Sequence, residues 1–233
     1  SYWGPLEWYS DRLAPRAADW DGDGILDIIT GSMGRRLYFF KGAMVQDSLR
    51  FHQPKNFNYE QTELVLPDRL FPAVLNWNGD QFLDIIASND PGHIVVYSGN
   101  GTLNLASPDT LRHTNGQPIV LEDFWKRKKG NRSGFAVADW DQDGHPDLVV
   151  YQFHRGVFLF RNTGNGTFEA EQLLVPLYSH LAGPSVMDWN NDGYLDLIIG
   201  GDERRMIEPT VPAHLVVFHG QDTRVPPEKL VLD

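Results

Sequence analysis

Apolar residues in this chain come in short runs rich in Val, Ile, Leu and Phe, and the stretches between them are crowded with Gly, Asn, Asp and Pro. Runs this short, bounded by turn formers, read as buried strands, since a helix needs about ten or more residues at a 3.6 period. No stretch carries the pattern of a long amphipathic helix. Taken in fours, the runs fall at 16–18, 26–30, 37–41 and 63–66; at 71–75, 83–87, 93–97 and 118–121; at 135–138, 147–151, 157–161 and 172–175; and at 184–187, 195–199, 214–219 and 229–232. The pattern predicts an all-β chain of four repeats, each a four-stranded antiparallel sheet of the kind that forms one blade of a β-propeller. The repeats divide the chain at 11–68, 69–131, 132–179 and 180–233, with 1–10 as an N-terminal edge segment. The first run of each is rich in small residues such as Ala17, Ala18, Ala73, Ala136, Ala138 and Ser185, as expected where inner strands converge on an axis.

Between the first and second run of every repeat stands the same sequence, D/N-W-D/N-x-D-G-x-x-D. Its copies begin at Asp19, Asn76, Asp139 and Asp188, with spacings of 57, 63 and 49 residues, which are blade lengths. Side-chain oxygens at positions 1, 3, 5 and 9, with the carbonyl of position 7, around a turn that needs Gly near position 6, are how a short loop surrounds a hard cation. The candidate ligands are Asp19, Asp21, Asp23, Ile25 and Asp27 in the first loop and Asn76, Asn78, Asp80, Phe82 and Asp84 in the second. The third offers Asp139, Asp141, Asp143, His145 and Asp147, and the fourth Asp188, Asn190, Asp192, Tyr194 and Asp196. At position 7 the backbone is the expected donor, so the ring of His145 should point away.

One such loop alone would read equally well as an ordinary Asp- and Gly-rich turn. Four in register are not explained that way, because carboxylates this close repel one another unless a cation lies between them. An EF-hand shares the opening of the motif but needs a Glu at position 12 and a helix on either side. Position 12 is Thr30, Ala87, Val150 and Ile199, and β-branched runs follow. An oxygen-only ligand set favours calcium over zinc, with up to four ions. The loops differ in charge: −4 in the first and third, −3 in the fourth and −2 in the second, where Gln81 also stands in the place of Gly24, Gly144 and Gly193. A side chain in a left-handed turn costs on the order of 1 kcal/mol, so the second site is expected to be the weakest. Trp20, Trp77, Trp140 and Trp189, each following the first ligand, read as packing between neighbouring repeats.

Composition alters this picture in two places. The net charge of −11 would suggest a strongly acidic protein, but thirteen of the 31 carboxylates lie in the four loops, and four divalent ions would bring the charge to −3. The absence of cysteine excludes disulfides and thiolate chemistry. No apolar run approaches a membrane span, and the acidic balance argues against a nucleic-acid partner. Loops of this type work at extracellular calcium concentrations, and the chain begins at Ser1 without a signal peptide, as a trimmed secreted or cell-surface product would. Asn100, Asn131 and Asn165 stand in glycosylation sequons, two of which are equally good turns.

The four loops, the strand runs after them and the turn Arg161-Asn162-Thr163-Gly164-Asn165-Gly166-Thr167-Phe168 resemble FG-GAP or VCBS-type repeats. That family includes integrin α-subunit propellers, a fungal lectin of integrin-like fold and propeller domains of polysaccharide-active proteins. The resemblance spans 11–233 and implies calcium-binding blades. Relatives usually close six to eight blades, so four imply either a small ring or a segment completed by another chain or by further residues.

Alternating strands place the metal loops on one face of such a sheet array. The opposite face should carry Arg12, Arg35, Arg36, Arg69, Lys126, Arg127, Lys128, Lys129, Arg132, Arg155, Arg204 and Arg205, together with His93, His154 and His180. A ligand surface is expected at Arg69, Trp125, Arg132, His154, Arg155, His180, Arg204 and Arg205, with arginine forks for carboxylate or sulfate and the indole for a sugar ring. The partner would be a glycan, most suitably an acidic one, or an extracellular protein. The chain holds no G-x-S-x-G, H-E-x-x-H, P-loop or dinucleotide fingerprint. The alternatives are a polysaccharide lyase, with His154 or His180 as base beside Arg155 or Arg69, and a purely structural assembly subunit.

Overall fold

The structure, a computed structural model, describes residues 13–32, 34–67, 71–122, 132–153, 155–176, 180–181, 183–202, 214–220 and 228–231. The edge segment 1–10 and the expected Arg12, Arg69, Trp125, Lys126, Arg127, Lys128, Lys129, His154, Arg204 and Arg205 lie outside them, and of His180 only the backbone is described.

Every regular element among the described residues is a β-strand. Each repeat forms one antiparallel meander. The first runs through Ala14–Ala18, Asp27–Gly31, Leu37–Phe40 and Lys55–Asn56. The second runs through Ala73–Leu75, Asp84–Ser88, Ile94–Tyr97 and Asp109–Thr110. The third comprises Ser133–Ala138, Asp147–Gln152, Gly156–Phe160 and Gln172–Val175, with a register shift between Val157 and Phe158. In the fourth, His180–Leu181 and Ser185–Met187 both pair with Asp196–Asp202, followed by His214–His219 and Glu228–Val231.

The middle strands of the second and third sheets are buried along their whole length. Neighbouring sheets cover both their faces, which is why they read as continuous apolar runs rather than as alternation. One apolar cluster joins the first three repeats, and a second joins the third to the fourth. The first strands of successive repeats lie beside one another, and Phe71 bridges in parallel to Gly134. Those first strands surround a cavity of ≈ 330 Å³ lined by Arg16, Ala73, Ala136 and Ser185 among others.

The outermost strands correct the sequence reading. The runs expected at 63–66 and 118–121 are not the main partners of the third strands, which are Lys55–Asn56 and Asp109–Thr110. In both repeats the outer edge is interrupted by an excursion and then resumes: Val65 bridges to Arg36, and Val120 to His93. The polar segments that begin the edge carry too little apolar pattern to be recognised, whereas the buried Leu64, Leu66, Ile119 and Leu121 that end it drew the assignment. The excursions clasp the following repeat. Asn58–Tyr59 pairs in parallel with Asn104–Leu105, and Arg112–His113 with Thr167–Phe168. A further unexpected hairpin, Gly42–Val45 with Ser48–Phe51, turns through Gln46 and Asp47, both at positive φ.

Three tryptophans pack between repeats as their sequence position suggested. Trp20, 3% exposed, meets Phe57 edge-on at 5.0 Å and donates its indole N–H to the Thr102 carbonyl of the second repeat at 3.0 Å. Trp77 stacks on Phe168 of the third repeat at 6.1 Å, and Trp140 joins the cluster that contains Leu197, Ile199 and Phe218 of the fourth. Trp189 departs from the expectation: it is 48% exposed, because none of the described residues forms a repeat beyond the fourth for it to pack against.

Candidate metal centre

Each acidic loop is built around one buried carboxylate. The aspartate at position 9, namely Asp27, Asp84, Asp147 or Asp196, is fully buried. One of its oxygens accepts the N–H of the tryptophan at position 2, at 2.9, 2.9, 3.0 and 2.8 Å in chain order. The other accepts the N–H of the residue just past the third strand: Gly42, Gly99, Asn162 or Gly220, at 2.7, 3.0, 2.7 and 2.8 Å. The carboxylate thus latches the loop to the end of the third strand, and in the first and third loops each of its oxygens keeps a lone pair for a cation.

The carboxylates at positions 1 and 5 are oriented by backbone N–H groups. Position 5 accepts from position 7 in all four loops: Asp23 from Ile25, Asp80 from Phe82, Asp143 from His145 and Asp192 from Tyr194. In the first, third and fourth loops the position-1 aspartate cradles two successive N–H groups, those of Asp23 and Gly24 on Asp19, of Asp143 and Gly144 on Asp139, and of Asp192 and Gly193 on Asp188. The glycine of each pair has φ between 83° and 90°. Position 4 is left-handed as well, through Gly22, Gly79, Gln142 and Asn191.

The second loop departs from this plan, and Gln81 is the reason. Gln81 was expected to strain a left-handed turn, but it does not adopt positive φ; the loop closes in another way instead. Asn76 accepts the Gly79 N–H at 2.8 Å and donates its amide to the Asp80 carbonyl, while Asn78 accepts the Asp80 N–H at 2.8 Å and donates to the Asp80 carboxylate at 3.0 Å. Amide donors here do what a cation would do elsewhere.

Two acidic triads among the described residues could hold a metal ion: Asp19, Asp21 and Asp27, and Asp139, Asp141 and Asp147, with ligand oxygens within 4.8 Å of one another in each. The third loop bears the marks of an incomplete electrostatic site. Asp141 Oδ1 is buried without a hydrogen-bond partner. Burial, with repulsion from Asp141 and Asp143, pushes the Asp147 carboxyl up to about 6 against hydrogen bonds from Asn162 and Trp140. Burial raises Asp27 in the same way. Lys41, by contrast, holds Asp23 below its ordinary value by a hydrogen bond. The ring of His145 lies against Gly164, so close that a Cβ there would be 2.4 Å from Nε2.

Of the basic residues expected on the opposite face, the four that are described are engaged within the fold. Arg35 pairs with Asp90, Arg36 with Glu63 at 2.6 Å, and Arg155 with Glu171 at 2.7 Å while also donating to Gln152. Arg132 lies over the Phe153 ring at 4.3 Å and Arg155 over Phe158 at 4.6 Å. Asp90, Glu63 and Glu171 thus neutralise three of these arginines within the fold.

The family model for the FG-GAP-like repeat matches residues 76–150 and 139–199. The chain belongs to the FG-GAP-like repeat family. Among solved structures this FG-GAP-like chain is similar to an Agrocybe aegerita lectin, described as specifically recognising non-reducing terminal N-acetylglucosamine, at 17% identity over 95% of this chain and 66% of that one, with a TM-score of 0.43. It is also similar to BBS1N in complex with ARL6DN, soaked with lead, at 14% identity over 90% of this chain and 54% of that one, with a TM-score of 0.42. The FG-GAP-like chain therefore spans about two-thirds of the first protein's length and about half of the second's. No curated protein matches its sequence.

Proposed function

We propose that this FG-GAP-like chain is a calcium-stapled recognition module of propeller type, secreted or on the cell surface, whose partner is a glycan or an extracellular protein. The observation that carries the metal reading is the unpartnered buried oxygen of Asp141 beside Asp139 and Asp147. A buried charged oxygen is normally satisfied. A hard divalent ion satisfies it and uses the lone pairs left on its neighbours. The first loop offers Asp19, Asp21, Asp23, the Ile25 carbonyl and Asp27, and the third and fourth offer the corresponding positions. All are oxygen donors, the set that calcium takes. The first and third sites should bind best, then the fourth, and last the second, whose amides already close the loop.

The recognition part rests on architecture: strands fastened at one end by ion-filled loops present the turns of the other end rigidly, which favours binding of an extended partner. With Arg35, Arg36 and Arg155 neutralised within the fold, the case for an acidic glycan depends on Arg69, Trp125, Arg204 and Arg205, outside the described residues. The lyase alternative gains no support, since Arg155 is held by Glu171 and Gln152. The exposed Trp189 marks the edge to which a further repeat would add.

Melting with calcium and with excess chelator tests the metal reading. A site saturated at a hundredfold its Kd adds about 2.7 kcal/mol, which is roughly 5–10 °C for a chain of this size. Magnesium, which demands tighter octahedral geometry, should rescue poorly. An unchanged melt in chelator overturns the reading. A glycan array of neutral and uronate-bearing polymers then tests recognition, with binding expected and no rise in unsaturated-uronate absorbance.

A further inference from the structure

The third strand of every repeat ends in the same short pattern: an aromatic residue, a variable residue, then Gly or Asn. In chain order these read Phe40-Lys41-Gly42, Tyr97-Ser98-Gly99, Phe160-Arg161-Asn162 and Phe218-His219-Gly220. The last residue gives its N–H to the buried latch carboxylate, and this fixes the variable side chain beside the acidic loop.

Three of the four variable residues reach into that loop. Lys41 Nζ lies 2.6 Å from Asp23 Oδ2 and also contacts Asp21. Arg161 Nε is 3.3 Å from Asp141 Oδ2, and His219 Nδ1 is 3.2 Å from Asp196 Oδ1. A fixed positive charge stands at this position beside the two most acidic loops. Lysine and arginine stand beside the two loops of charge −4, a histidine beside the loop of −3, and the neutral Ser98 beside the loop of −2. An ion pair that served only solubility would have no reason to fall at the most acidic loops. In the second loop, the amide donors of Asn76 and Asn78 supply the missing service within the loop itself.

The geometry points to Lys41 and Arg161 as tethered counter-ions of the first and third loops, which hold the carboxylates together when no divalent ion is bound and must be displaced for one to bind. The inference rests on the calcium reading above. An ammonium and a divalent cation cannot share the oxygens of Asp21 and Asp23 without strong repulsion, so uptake becomes an exchange. The exchange keeps the fold intact in the absence of metal and weakens its affinity for the ion.

Calorimetric calcium titration and melting in chelator of the 233-residue protein, with Lys41→Met and Arg161→Gln, test this. Lys41→Met should tighten the affected site by roughly four- to twenty-five-fold, since each of the two exposed carboxylate–lysine contacts released is worth a factor of about two to five. Arg161→Gln, which releases the Asp141 carboxylate as well as the Gln172 side chain, should tighten its site by about two- to fivefold. Both variants should melt lower than the parent in chelator, and Lys41→Arg should restore parental values. Should Lys41→Met fold poorly, Lys41→Ser, which copies the second repeat, takes its place. Calcium binding with unchanged or weaker affinity in the variants overturns the inference and leaves the calcium reading standing. A parent that takes up no calcium while the double variant does supports it, because the tethered cations then win outright. Absence of binding in both overturns the calcium reading and the exchange together.

Discussion

At the scale of the residue, position 9 of the loop is the group on which metal, fold and pH meet. Asp147 has no exposed surface and accepts two backbone N–H groups, so its carboxylate is held in place at the cost of desolvation. Its folded value of about 6 lies above the unfolded 3.8. The folded state therefore holds the proton more tightly, and the stability associated with this group is present below pH about 4 and is lost as pH rises to about 6. The loss is on the order of 3 kcal/mol without metal. Asp27 acts in the same direction, while the exposed Asp23 and Asp192, shifted downward, act against it. In chelator, stability between pH 4 and 6 should fall more, or rise less, for the parent than for Asp147→Asn; parallel profiles would contradict the assignment. The ligand positions were legible because they repeat in register. The latch role of Asp147 and the approach of Lys41 and Arg161 were not, since the partners lie between 15 and 20 residues away and become adjacent only when the sheet forms. The aromatic-x-Gly/Asn ending was the available signal, and aligning the third strands of the four repeats would have exposed it.

At the scale of the element, second and third strands were legible because burial on both faces leaves them apolar throughout, and so were the fourth strands of the third and fourth repeats, while those of the first and second were not. Lys55–Asn56 and Asp109–Thr110 lie at an edge, where polar side chains suffice, and they are held by pairing rather than by pattern. What fixes such a sheet at its loop end is close backbone approach. A Cβ added to Gly99 would sit 1.9 Å from the Leu83 carbonyl oxygen and 3.0 Å from the Trp20 ring. Neither can yield easily, since the carbonyl belongs to the backbone and the indole is buried between repeats. Gly99→Ala should therefore cost about 2–4 kcal/mol, at or above the usual range for overpacking. Gly116, left-handed at φ 80° with open space around it, should lose only about 1 kcal/mol on the same change. Urea unfolding of the two variants measures the difference, and equal losses would mean that the loop end is looser than its contacts indicate.

At the scale of the whole molecule, a tryptophan from the loop and adjacent first strands join each repeat to the next, and a clasp from the outer edge adds to them between the first and second and between the second and third. Periodicity made that order legible from sequence, and for the same reason it concealed where the order stops. Trp20, Trp140 and Trp189 have identical local sequence roles, yet they are 3%, 6% and 48% exposed. Their environments differ through the next repeat, which local sequence does not encode. Energetics should follow the neighbour and not the motif. Trp20→Ala removes an indole wedged against Phe57, Gly99 and the Thr102 carbonyl, and Trp140→Ala opens a hole beside Leu197 and Phe218; each should cost about 3–5 kcal/mol. Trp189→Ala should cost less, about 1–2 kcal/mol in the 233-residue chain, because about half of its surface already faces water. Chemical denaturation of the three variants with calcium in excess separates these cases from effects on the ion. If Trp189→Ala proved as damaging as Trp20→Ala, the edge of the fourth repeat would already be covered. The reading of that edge as the place for a further repeat would then be wrong.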